Sequence, residues 1–161
     1  MARAQAQDVL RASLLDRLTG SHGSRRLAGS FGLREIKEEV TRDLQWLLNA
    51  HQWWPTDLGS LEEASRSLLT YGIPDLSTFS WVSGADAEEI SRLIANAVKT
   101  FEPRLLRRSV KVTVVPSESV DDFRVRLRID AMLNVEPYSE PVSFDTEIDA
   151  ETGAIQVKGA T

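Results

Sequence analysis

The sequence predicts an α+β domain in which N-terminal helices pack on one face of an antiparallel β-meander of three to four strands. Three observations predict it. Apolar residues recur at three- and four-residue spacing as far as Phe101, the period changes to alternation after Ser109, and turn-forming residues separate the alternating runs. A chain of 161 residues, 42% hydrophobic and 27% charged, is of a size and composition to bury one substantial core. The expected division is residues 1–32, an amphipathic helix with a flexible linker, and residues 33–161, the α+β domain.

From Gln5 to Leu18, Val9, Leu10, Leu14 and Leu18 form a stripe interrupted by Arg11 and Arg17, which predicts a short helix that is marginal in isolation. Thr19 to Gly32 concentrates glycine and serine and reads as the linker. The next helix is marked by Leu33, Ile36, Val40, Leu44, Leu47 and Leu48, and the WWP break at Pro55 closes the segment. In Ser67 to Leu76, SLLTYGIPDL, Tyr71, Gly72, Pro74 and Asp75 form an architectural turn, with Leu68, Leu69, Tyr71 and Ile73 expected against the core. A further helix should start at a cap on Asp86, with Glu89 three positions on, and carry Ile90, Leu93, Ile94, Ala97 and Phe101 on one stripe. Pro103 stops it. Glu102 then stands at the negative end of the helix dipole and needs a compensating donor.

Val110, Val112 and Val114 alternate with Lys111 and Thr113, which predicts a strand. A longer alternation follows from Phe123 to Val135, and as one strand it would reach about 43 Å. After the EPYSEP turn, Val142, Phe144 and Ile148 alternate with Ser143, Asp145, Glu147 and Asp149 as the returning strand. If both apolar faces share one side, Arg124, Arg126 and Arg128 lie among those acids as a cross-strand ionic ladder. DAETGAIQV then predicts a tight turn on Gly153 and a short last strand with Ile155 and Val157.

Nineteen basic residues against twenty-four acidic ones give a net charge of -5, which disfavours nucleic acid, and the facing acids neutralise the arginine row. The absence of cysteine removes disulfides, thiolate metal sites and cysteine nucleophiles, and fits a cytoplasmic protein. No apolar run approaches the roughly 18 residues of a membrane helix, so no direct membrane insertion is expected. His22 and His51 have no suitably spaced carboxylates, so neither a metal, a cofactor nor a catalytic residue is expected. Trp46, Trp53, Trp54 and Trp81 read as core or rim residues.

SLLTYGIPDL and the FEPRL segment at Phe101 to Leu105, with SLLDRL at Ser13 to Leu18 and RDLQWLLN at Arg42 to Asn49, resemble the TssE family of type VI secretion baseplate subunits and the related wedge protein of contractile phage tails. Gln52 to Arg66 departs from that pattern as an insert-like stretch. The resemblance implies a structural, non-enzymatic baseplate subunit. Its glutamate-proline-arginine motif falls on Glu102, Pro103 and Arg104, followed by Leu105, and implies contact with the wedge subunits TssF, TssG and TssK. It further implies that strands of the protein start polymerisation of the TssB–TssC sheath. The bland alternative is that Glu102 and Arg104 pair with each other around a helix end. Because related phage proteins are called lysozyme-like, a glycoside hydrolase is the competing function. It needs two carboxylates across a cleft, one kept protonated, and the sequence offers no such pair.

Overall fold

The computed structural model describes residues 18–19, 32–52, 61–76, 79, 84–115, 124–135, 139–149 and 152–159. The first predicted helix, apart from helical Leu18 and Thr19, and nearly all of the linker lie outside these residues, as do Trp53, Trp54, Trp81 and Phe123. The fold is α+β, with helices preceding a four-stranded antiparallel sheet of order β1-β2-β3-β4.

Helix α1 (Leu33–Asn49) buries Ile36, Val40, Leu44, Leu47 and Leu48, the predicted stripe. It ends where Ala50 turns to an extended conformation. After the one-turn helix α2 (Glu62–Ser65), a 3-10 turn spans Leu68–Thr70 and is capped by the Ser67 hydroxyl, which accepts from the Leu69 amide at 3.3 Å. Here the expectation for two leucines fails. Leu68 is 84% and Leu69 55% exposed, because the turn is closed by its own Ser67 and Thr70 hydroxyls, and the chain reaches the core only from Tyr71 and Ile73 onward.

Helix α3 (Gly84–Phe101) begins two residues before Asp86, so that carboxylate lies inside the first turn instead of capping it. It still faces the positive end of the helix dipole. Ile90, Ile94, Ala97 and Val98 supply the buried face, while Leu93 is only half-buried.

Strands β1 (Lys111–Val115), β2 (Arg124–Leu133), β3 (Glu140–Asp149) and β4 (Ile155–Lys158) form a meander. The inner faces of β2 and β3 are buried at Leu127, Ile129, Ala131 and Leu133 and at Val142, Phe144, Thr146 and Ile148. β2 is shorter than its alternation predicts. It ends at Leu133 because the next amide, Asn134 N–H, donates to Arg104 O at 2.7 Å instead of joining the ladder. α1 packs on β4, α3 on β1, and the helices touch each other, so one core lies between two helices and one face of the sheet.

Candidate interaction interface

The residues after α3 build a corner that is exposed at its tip and saturated at its base. Pro103 is exposed; Glu102 behind it is 3% exposed. The Glu102 amide still donates to Val98 O at 3.0 Å, completing the helix, while its carboxylate accepts from the Arg104 amide at 3.0 Å and from Arg104 Nε at 2.7 Å and Nη2 at 2.6 Å. The donor that the helix end requires is therefore the side chain two residues on. Arg104 also reaches α1, where Nη2 meets Asp43 Oδ2 at 2.6 Å and Nη1 lies 3.6 Å from Glu39 Oε2. Glu39 and Asp43 are one helical turn apart, so both face the same guanidinium. Burial opposes charge on Arg104, but the hydrogen bonds it donates to Glu102 and then to Asp43 outweigh it and push its pKa well above the usual arginine range. Leu105 is 1% exposed and its side chain belongs to the core. Of the FEPRL residues, Pro103 is exposed, while Phe101 and Arg104 are half-buried.

The Tyr71 turn meets this corner. The Tyr71 ring packs edge-on to Phe101 at 5.2 Å, and burial, followed by the charges of Asp43 and Glu102, raises its hydroxyl above the usual 10.0. Gly72 has φ 108, and a Cβ there would lie 2.1 Å from Ala50 O. Only glycine fits that approach. It lets Ile73 N–H donate to Ala50 O at 3.0 Å and Ile73 O accept from Gln52 N–H at 2.9 Å, tying the turn to the end of α1. Pro74 is half-buried and Asp75 exposed. The two segments, thirty residues apart in the sequence, thus meet at the Tyr71–Phe101 contact, and Tyr71 lies in the field of Asp43 and Glu102.

On the outer face, Arg124, Arg126 and Arg128 stand opposite Asp149, Glu147 and Asp145 in register. Arg128 bonds Asp145 at 3.0 Å, and Glu147 lies 3.6 Å from Arg126 and accepts from Lys158 at 2.7 Å. The Lys158 hydrogen bond leads the causes that hold the Glu147 carboxyl below its usual 4.5, opposite to the shift a general acid requires. Among the described residues, no group of three His, Cys, Asp or Glu could hold a metal ion, and no helix is long and apolar enough to cross a membrane.

The sheet's two edges differ. At β4 the outward-pointing amide and carbonyl of Ile155 and the amide of Val157 are occupied by α1: Ile155 N–H donates to Asn49 Oδ1 at 3.0 Å, Ile155 O accepts from Asn49 Nδ2 at 2.7 Å and Gln45 Nε2 at 2.5 Å, and Val157 N–H donates to Gln45 Oε1 at 2.6 Å. Two amide side chains one turn apart act as a surrogate strand.

The chain is thus an α+β domain in which a helix-backed antiparallel meander carries a buried ionic corner at the end of α3. Residues 34–138 match the family described as baseplate wedge protein gp25, and the chain belongs to that family, whose role is structural within phage-tail-like baseplates. No curated protein and no solved structure matches the chain. Sequence reasoning found Glu102 and Arg104 but missed Glu39, Asp43, Gln45 and Asn49. A signal existed for the first two: Glu39 and Asp43 occupy apolar positions in the series Ile36, Val40, Leu44 and Leu47, where a carboxylate requires a buried cation.

Proposed function

We propose that this chain is a TssE-like subunit of a bacterial type VI secretion baseplate, working in the cytoplasm without catalysis. It anchors to the wedge subunits TssF, TssG and TssK at the Pro103 corner and offers a sheet edge from which the TssB–TssC sheath grows. The observation that carries this reading is the FEPRL corner: Pro103 projects from a base fixed by Glu102, Arg104 and Asp43. A fixed projection loses little conformational freedom when a partner covers it, which favours binding. The exposed side of Arg104 adds a planar donor at the same place.

The test is capture of co-expressed wedge subunits by the wild type and by Pro103→Asp, with folding checked by circular dichroism. The folded variant is expected to lose TssF and TssG. Undiminished capture would remove the corner from the interface.

A further inference from the structure

We infer that the receptor for an added strand is the β1 edge together with the groove between β1 and α3, and that its occupant is an extended, acidic segment of a partner with apolar residues at alternate positions. This rests on the reading above that the sheet is extended by a partner, and it assigns the edge, which that reading leaves open.

An antiparallel edge strand points the amide and carbonyl of every second residue away from its neighbour. On β4 these groups at Ile155, and the amide of Val157, are bonded to Asn49 and Gln45. On β1, which pairs only with β2, no group of the described residues bonds the outer side. An incoming strand would have to displace α1 at β4, whereas at β1 it meets open donors and acceptors.

α3 presents Ala87, Ser91 and Ala95, spaced four apart, toward Val110, Val112 and Val114. Because these helix residues are small, a groove of about 650 Å³ remains beside the strand. Val112 and Val114 stand opposite Ile129 and Leu127, so they continue the core face of the sheet, yet Val114 is 38% exposed. Apolar side chains alternating along an added strand would complete that face.

Lys99 ends α3 at the groove, and Lys111 lies on the outer face at the start of β1. Among the described residues neither has an ion-pair partner. Arg92, also at the groove, pairs with Glu89, leaving Glu88 as the acid of the lining. The two lysines favour an acidic occupant, and β1 with five residues accepts about 17 Å of extended chain.

The chain contains no cysteine, so single cysteines can be placed at will. A photo-crosslinker attached at Thr113→Cys on β1 or at Gln156→Cys on β4 would be activated in cells expressing the wedge and TssB–TssC sheath subunits. Sheath is expected to crosslink from position 113 and not from 156, and Ser91→Tyr, which fills the groove, is expected to abolish that crosslink while wedge capture persists. The pair Lys99→Gln and Lys111→Gln should weaken sheath capture about tenfold by removing the charge complementarity. Sheath crosslinked from 156, or retained by folded Ser91→Tyr, overturns the edge assignment and leaves the baseplate reading standing. Crosslinks from 113 to a second copy or within the chain overturn the occupant, and no sheath crosslink from either position overturns the templating reading itself.

Discussion

The β1 and β4 edges belong to one sheet and are built from similar residues, yet one is sealed and the other open. The difference lies in the helix packed beside each strand. α1 brings Gln45 and Asn49, whose amides carry both a donor and an acceptor and so can mimic a neighbouring strand. α3 brings Ala87, Ser91 and Ala95, too short to reach the backbone and small enough to leave space. Identical backbone demand is thus met internally on one side and left for a partner on the other. Edge protection need not come from strand residues: it can be supplied by the helix behind them.

The strongest way to break the comparison acts through the position of α1. Arg104→Ala leaves Glu102 buried without its cation, and loss of one partner from such a pair costs about 3–5 kcal/mol. The variant should melt about 10 °C lower. Because Arg104 and Glu102 are part of the clamp, Pro103, which is exposed, is the cleaner probe of binding. A melting curve that matches wild type would show that the clamp is not structural.

The direct break is Gln45→Leu with Asn49→Leu. It strands the Ile155 amide and carbonyl and the Val157 amide, at a cost of about 2–4 kcal/mol. Hydrogen exchange should show these two amides slow in the wild type and fast in the double variant, and sedimentation should show new self-association through the unsealed edge. Amides that exchange at equal rates in both proteins would contradict the seal. On the other side, Val114→Thr changes a half-exposed edge residue and should alter stability by only about 0.5 kcal/mol, within the range of surface substitutions. A larger loss would mean that the β1 edge is already covered.

The smallest effect sharpens the outer face. Glu147 titrates below 4.5 in the folded protein, so its contribution to stability is fully present above that value and is lost as pH falls through the folded midpoint. Lys158→Ala removes the leading cause, and the Glu147 midpoint, followed by NMR, should move up toward 4.5. A midpoint that stays put would assign the shift to the arginines instead.

Much of the fold was legible because periodicity is a property of sequence alone. The change from Phe101 to Val110 separates helices from strands, and strict alternation in β2 and β3 places three arginines against three acids without any coordinates. The misses share a physical origin. Leu68 and Leu69 are apolar, but whether they reach the core depends on the closure of a three-residue turn by hydroxyls, which carries no period. β2 ends where a loop carbonyl takes the Asn134 amide, a contact between residues thirty apart. Gln45 and Asn49 look like ordinary exposed polar residues of a helix, and their role appears only once β4 lies alongside. For the corner, the sequence named the pair, while the carboxylates of α1 that share Arg104 needed tertiary structure.

The Arg104 corner also has a mechanical aspect. Its side chain holds α1 through Asp43, its neighbour Glu102 ends α3, and its carbonyl receives the Asn134 amide at the end of β2. A load applied at the projecting proline is therefore divided at once among three elements that diverge from one point. No single helix can be peeled away alone, because stretching any of the three connections pulls against the other two.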